Sequence, residues 1–540
     1  GQCMASGGLN PLDMAVIAAY LGGIVALGCW AGLRKRKGAG AAGDKYFLAG
    51  RSLTWPVIGM ALFATNISTI HLVSLAQEGY TNGLAYGNFE WMAGFTLILL
   101  ALFFAPFYVR SRVSTLPDFL ERRYSRASRD WLSLISIVAA IFIHIGFSIY
   151  AGAVVLEGLF GIGKMTSIVA VALLTGVYTI VGGLMAVVVT EAVQTVILLF
   201  GAVVMTVSAW TALGGWGNLT AAVDPVQLTM LRPADDPSGL PWYAVFLGYP
   251  VIGIWYWCTD QTIVQRVLGA KDEHHARMGA LFAGFIKILP VFILVLPGLM
   301  CAALVSTGRV EGAPESSEQV YAFMINTLMP VGMRGLLAAA LLAALMSTVS
   351  AALNSAATLF THDLYRRFRP DADDRKLVRV GRIVTFAGMV LAVLWSPFLG
   401  RYPTVFQGVN AAICYIAPPI TVVFVFGVFW RRASSRAALA TLITGSAAGL
   451  VVFLLDWFKE STGWSVPFMM AGFYLAVLCA AVLVPVSWLF PDPPSAERDA
   501  LVWSSPLEAF RGATGRGLAD YRVVAGLLFG IMVALYVVFA

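Results

Sequence analysis

Stretches of twenty or so apolar residues recur along most of this 540-residue chain, each long enough to cross a bilayer of roughly 30 Å. Hydrophobic residues make up 59% and charged residues only 12%, against about 25% charged in soluble domains. Backbone groups in hydrocarbon must be satisfied internally, which helices achieve within one segment. The chain therefore reads as an all-α polytopic membrane protein. Fourteen spans are expected: 12–33, 53–78, 84–109, 130–160, 166–183, 186–213, 241–268, 277–305, 331–365, 376–400, 404–431, 436–457, 466–490 and 519–540. The first is long enough to span and no basic segment precedes it, so it reads as a helix rather than a cleavable leader.

The net charge of +7 invites a nucleic-acid reading, but its distribution argues otherwise. On the fourteen-span topology, 29 of the 36 Lys and Arg residues fall on loops of one side. Only six fall on the other: Lys164, Arg232, Arg309, Arg334, Arg401 and Lys459. Positive charge collects on cytoplasmic loops, so both termini are expected on the extracellular or periplasmic side of the cell membrane. The six cysteines are scattered and form no C-x-x-C, so neither a disulfide framework nor a metal site is expected.

One span breaks its own pattern. In Trp55–Ala76, WPVIGMALFATNISTIHLVSLA, Thr65, Asn66, Ser68, Thr69 and His71 interrupt an otherwise apolar run. Non-helical backbone at membrane depth survives only where it is buried in protein or lines a cavity. Broken helices near the midplane, whose freed carbonyls can hold a cation, recur in secondary transporters. The span 241–268 is likewise interrupted, at Gly253–Gln261 (GIWYWCTDQ). Each opens a set of five spans, 53–213 and 241–431, and an odd number inverts the second set relative to the first. An extra helix and cytoplasmic loop (1–52), an extracellular loop (214–240) and three C-terminal helices (432–540, with a cytoplasmic linker at 491–518) complete the expected organisation.

The span 331–365 places Ser347, Ser350, Asn354, Thr358 and Thr361 on one helical face. Such residues serve close helix packing as well as ligand binding. The adjacent hydroxyls of Ser347 and Thr348 are suited to a hard monovalent cation, which takes oxygen ligands. Glu90, Glu191, Asp260 and Lys287 are ionisable at membrane depth, where such residues are functional by default or paired structurally. Asp260 reads as one half of an interfacial ion pair near Arg266. Glu90 has no basic residue nearby in sequence, so a substrate hydroxyl is a natural partner. His71 reads either as a satisfied core histidine or as cavity lining. Tyr256 and Trp257 read either as packing aromatics or as a stacking surface for a ring substrate.

FATNIS..H (63–71), FEW (89–91), WYWCTDQTIVQR (255–266), MSTVSAALNSAATLFTHDLY (346–365) and APP (417–419) resemble the sodium:solute symporter family, in particular its sodium/glucose cotransporter branch. The resemblance implies a LeuT-type five-plus-five inverted-repeat core, with one helix before it and three after. It implies a sodium ion held by the carbonyls of Ala64, Ile67 and Ala344 and the hydroxyls of Ser347 and Thr348. It implies a sugar site at Asn66, His71, Glu90, Lys287 and Asn410, with Tyr256 as the stacking inner gate; Trp257 joins the expected substrate residues from its own reading as a stacking surface. Leu75, Phe89 and Phe406 form the implied outer lid. Three departures stand out: Asn410 where the sugar carriers have glutamine, Gly253 where a polar residue is usual, and Glu191 in place of an aspartate near a second cation site. Glu191 and Ser350 are the expected residues of that second site.

The implied activity is sodium-coupled import of a glucose- or galactose-like sugar across the lipid bilayer, with no enzyme chemistry and no nucleic-acid partner. A polyol such as inositol, an amino sugar or an organic anion is the alternative cargo, the anion depending on Lys287. A solute sensor is the alternative from another class, and the segment 491–518 is too short to be its signalling domain.

Overall fold

A computed structural model describes residues 10–36, 42–401, 405–512 and 515–540. Long helices dominate: α1 (Pro11–Arg36), α2 (Trp55–Asn66), α3 (Thr69–Asn82), α4 (Ala85–Arg110), α5 (Arg126–Glu157), α6 (Lys164–Leu213), α7 (Trp242–Ile254), α8 (Gln261–Leu268), α9 (Glu273–Ser306), α10 (Met333–Phe368), α11 (Asp374–Leu399), α12 (Val405–Phe429), α13 (Ser435–Trp457), α14 (Phe468–Leu489) and α15 (Tyr521–Val538). No strand occurs among the described residues.

Eleven described helices are long and apolar enough to cross a membrane, twelve when α2 and α3 are taken as one bent span. The expected fourteen are not reached by that count, for two physical reasons. Helix α6 runs for 50 residues and carries two expected spans, bent at Gly183 (φ 60°, ψ −150°). A Cβ there would stand 2.3 Å from the Tyr46 carbonyl oxygen, so only glycine fits the bend. The expected span 241–268 is interrupted at Asp260, which leaves α7 and α8 each too short to qualify.

The breaks come from local chemistry. Helix α2 stops where Ile67 (ψ 103°) and Ser68 (ψ 173°) turn extended, and α3 leaves at 64° to it. Ser68 caps α3: its side chain accepts from the His71 backbone, while the Ser68 N–H donates to His71 Nδ1 at 3.4 Å. Asp260 (ψ 122°) ends a π-helical turn, Trp255–Thr259, and caps α8 through the Thr262 N–H. Further π-helical turns lie at Ala139–Ile145 in α5 and Val291–Val295 in α9. Such turns rotate the following side chains and recur at functional sites.

Burial sorts the helices into core and periphery. Helix α10 is buried along almost its whole length, its face of serine, threonine and asparagine included, as expected of a helix enclosed by others. Helices α13, α14 and α15 keep large apolar side chains outward, among them Leu450, Val451, Tyr474, Val477 and Phe529. Helix α1 reaches the core through Asp13, whose buried Oδ1 accepts from the N–H groups of Gly332 (2.7 Å) and Gly335 (2.8 Å). A carboxylate at the positive end of a helix is favourable, and here it anchors the start of α10.

Both α2 and α3 lie against α9. A Cβ on Gly79 would stand 2.0 Å from the Val295 carbonyl oxygen, and one on Gly298 would stand 2.0 Å from that of Ala76. At the other end, a Cβ on Gly59 would meet Phe282 at 2.4 Å, and one on Gly279 would meet Ile58 at 2.6 Å. Small residues let the backbones approach, which is how helices associate in lipid. Helix α9 is itself interrupted between Ile286 and Val291, and Lys287 sits in that interruption.

Candidate functional site: a cation-ligand cluster beneath a solute cavity

The end of α2 leaves carbonyls without intrahelical partners, as every helix C-terminus does. That of Phe63 is taken by the Ile67 N–H at 3.0 Å. Those of Ala64 and Thr65 are met from α10 instead. Ser347 Oγ donates to Ala64 O at 2.5 Å and also lies 2.9 Å from Ala344 O. Thr348 Oγ1 donates to Thr65 O at 2.9 Å, with Ala344 O at 3.3 Å. Ala64, Ala344, Ser347 and Thr348 thus come together in a buried cluster of neutral oxygens, with Ile67 in the adjoining break. Thr65 O is an addition that the sequence reading lacked. Hydroxyls and carbonyls without formal charge suit a monovalent ion that must also leave.

Glu191 lies on the other side of Thr65, whose Oγ1 donates to Glu191 Oε1 at 2.5 Å. Arg266 pairs with the same carboxylate, Nη2 to Oε1 at 3.0 Å and Nε to Oε2 at 3.3 Å, and neither side chain is exposed. The charge expected to attract a second cation is therefore matched by a guanidinium. Ser350 donates to Ser347 O in its own helix at 3.0 Å. The structure engages Glu191 and Ser350 separately.

Next to this cluster, sharing Thr348 with it, is a cavity of about 900 Å³ of empty space, its mouth included. Of the expected substrate residues, Asn66, His71, Glu90, Tyr256, Trp257 and Asn410 line it; of the lid residues, Leu75 and Phe89 do. The side chain of Phe406 lies outside the described residues. Lys287 does not line the cavity but underlies it. Its ammonium donates to Glu90 Oε2 and to Asn66 Oδ1 (2.5 Å), and it lies 5.6 Å from the Trp257 ring centroid. Asn66 Nδ2 in turn donates to Tyr256 OH at 3.0 Å. Glu90, Lys287, Asn66 and Tyr256 thus form one chain of polar contacts joining α4, α9, α2 and the turn after α7. The partner of Glu90 in the structure is Lys287, which is remote in sequence.

Three lining residues escaped the sequence reading, His144, Ser148 and Tyr249; Ser68 of the break and Thr348 of the cation cluster also line the cavity. His144 lies in the π-helical turn of α5, with Nε2 2.9 Å from Asp260 Oδ2. This corrects the expected pairing near Arg266: Asp260 faces His144, and Arg266 belongs to Glu191. A lone histidine in an apolar run (IFIHIGF) was the available signal, and an α-helical projection gives it the wrong direction.

Acceptors, donors and aromatic faces thus converge on one cavity, next to which the Lys287 ammonium is paired with Glu90. That combination recognises hydroxyls and a ring's apolar face. The sodium:solute symporter family model matches residues 46–445. The rat sodium/glucose cotransporter 2 is 35% identical, over 83% of this chain and 72% of that protein. The bovine sodium/mannose cotransporter SLC5A10 is 34% identical, over 92% and 89%. The mouse sodium/myo-inositol cotransporter 2 is 33% identical, over 92% and 79%. Among solved structures, a Na+-coupled sialic acid symporter in a substrate-bound outward-open state aligns with a TM-score of 0.78 at 22% identity, covering 89% of this chain and 99% of that one. Mhp1, a nucleobase-cation-symport-1 family transporter in a closed conformation, aligns with a TM-score of 0.53 at 15% identity, covering 85% and 99%. These neighbours share the LeuT-type fold, in which sites lie where the inverted repeats meet. The chain is accordingly a sodium-coupled membrane transporter and not an enzyme; it belongs to the sodium:solute symporter family.

Proposed function

We propose that the protein imports a neutral hexose-like sugar together with sodium by alternating access. The observation that carries this reading is the polar chain Glu90–Lys287–Asn66–Tyr256 bordering a cavity walled by Phe89, Tyr249 and Trp257. Sodium enters the cation cluster by replacing the hydrogen bonds from Ser347 and Thr348 to the end of α2. Its binding holds α2 against α10, which fixes Asn66 in register with Lys287. Substrate then closes Leu75 and Phe89 over itself, and rocking of the repeats 53–213 and 241–431 separates Ala64 from Ser347. Sodium leaves on the side of the basic loops, read as cytoplasmic, and substrate follows past Tyr256.

One charge falling through 100 mV supplies about 2.3 kcal/mol. A tenfold sodium gradient adds about 1.4 kcal/mol. Together these sustain roughly a 500-fold accumulation of solute for each sodium carried.

A cyclic polyol is the second reading, favoured by the likeness to the mouse sodium/myo-inositol cotransporter 2 and by the shorter Asn410 at the cavity wall. An organic anion is disfavoured, because the ammonium it would need is already paired with Glu90. Uptake into proteoliposomes under a sodium or a potassium gradient, with labelled glucose, galactose, mannose and myo-inositol, tests these readings. Sodium-driven uptake of a hexose is expected. Accumulation of myo-inositol alone would select the second reading, and equal uptake in potassium would reject sodium coupling.

A further inference from the structure

A cavity remote from the solute site, holding about 920 Å³ of empty space with its mouth included, opens on the side of the basic loops. It lies between the loop 431–433, the end of α14 and the segment 491–502. Among the described residues, four arginines line it, Arg123, Arg431, Arg432 and Arg498, against two carboxylates, Asp492 and Asp499. Arg123 is buried and closes the end of α12, donating to the carbonyls of Gly427 (2.7 Å), Trp430 (3.0 Å) and Ala433 (3.2 Å). Those partners are neutral, so its charge is left uncompensated.

The carboxylates do not cancel the rest. Asp492 Oδ2 accepts from the Ser435 N–H (2.8 Å) and hydroxyl (2.9 Å) and pairs with Arg498 at 2.7 Å. Asp499 stands 3.5 Å from Arg431, where both side chains are exposed and such a pair is worth little. Arg432 is exposed, lies 4.9 Å from the Trp488 ring centroid and has no carboxylate partner among the described residues. The cavity thus carries an excess of guanidinium groups, which grip phosphate oxygens through paired N–H donors. Its setting points to a lipid phosphate. Helix α14 ends at Leu489, and Trp488, Leu489 and Phe490 are all exposed, with Arg436 5.3 Å from the Phe490 centroid. Exposed aromatic rings beside arginines, at the end of a spanning helix, mark the headgroup level of a bilayer. Pro491, Pro493 and Pro494 stiffen the facing wall.

We propose that this cavity binds the phosphate of an anionic phospholipid through Arg431 and Arg432, with the acyl chains lying along α14 past Trp488. The bound lipid ties the loop between α12 and α13 to the end of α14, whatever solute the protein carries. The test is the melting temperature of the full chain in neutral detergent, titrated separately with phosphatidylglycerol, phosphatidylcholine and inorganic phosphate. Phosphatidylglycerol is expected to raise it saturably, and the other two are expected to leave it unchanged at equal concentration. Arg431→Gln and Arg432→Gln are each expected to raise the half-saturating concentration of phosphatidylglycerol about tenfold, the worth of one charge-assisted hydrogen bond. Both side chains are exposed, so the lipid-free variants should melt like the unmodified protein, and the two variants stand independently. Arg375→Gln, which removes an exposed arginine at the start of α11, is the control for unspecific attraction and should bind like the unmodified protein. No response to phosphatidylglycerol, an equal response to phosphatidylcholine, or an equal loss in Arg375→Gln overturns the site. Saturation by inorganic phosphate at the same concentration assigns it to a free anion and overturns the lipid.

Discussion

Ser347 Oγ donates to the carbonyl of Ala64 at 2.5 Å, a contact across 283 positions of chain. It is made where α2 has run out of amide donors for its own carbonyls, and it joins α2 to α10 next to the cavity that Thr348 lines. Ser347→Ala removes the hydroxyl and keeps the helix. Its expected effect is a rise of about tenfold or more in the sodium concentration that half-activates uptake, with normal insertion. Sodium titration of uptake checks this, and an unchanged half-activation would remove Ser347 from the ion's ligands.

Glu90 and Lys287 are both buried, so each compensates a charge that is expensive on its own. Glu90→Gln or Lys287→Met alone is expected to destabilise the protein by about 3–5 kcal/mol, because one charge stays buried without its partner. The double variant should recover most of that loss in a melting experiment. It should not recover uptake, since the chain through Asn66 to Tyr256 stays broken.

His144 lines the cavity and faces Asp260 from another helix. His144→Ala is expected to raise the half-saturating solute concentration about tenfold while leaving half-activation by sodium unchanged. His144→Gln keeps a donor and should recover part of the loss. An effect on sodium alone would move His144 out of the solute site.

Gly298 touches the backbone of Ala76 with no room for a methyl group. Gly298→Ala is expected to destabilise by about 1–3 kcal/mol or more through overpacking. Gly526→Ala, on a helix where nothing lies within 4 Å of the added carbon, is the matched control and should melt like the unmodified protein.

The break at Ile67 and Ser68 is legible from sequence because five polar residues at mid-depth have no use in a continuous helix. Ser347 and Thr348 are legible because two neighbouring hydroxyls complement freed carbonyls. The pairings are less so. Lys287 and Glu90 lie 197 positions apart, and Glu191 and Arg266 lie 75 apart. Each charge viewed alone invites a ligand, and only the fold supplies its protein partner. His144 was hidden by its π-helical turn, which α-helical periodicity cannot express. The count of long apolar helices differs from the fourteen expected spans at Gly183 and Asp260, where one helix holds two spans and one span is interrupted.

The paired glycines along α9 make α2 and α9, and likewise α3 and α9, close-fitting rods without slack. Neither rod can slide on the other, because the backbones already touch through Gly79 and Gly298. Bending is the freedom that remains. The pair α2 and α3 can bend at Ile67 and Ser68, and α9 can bend near Lys287, which reaches across to Asn66 at the end of α2. The two joints therefore behave as one axle. A swing about it that widens the solute cavity also turns the carbonyls of Ala64 and Thr65 away from α10. On the proposed reading, a shared pivot would couple cation and solute without any direct contact between them.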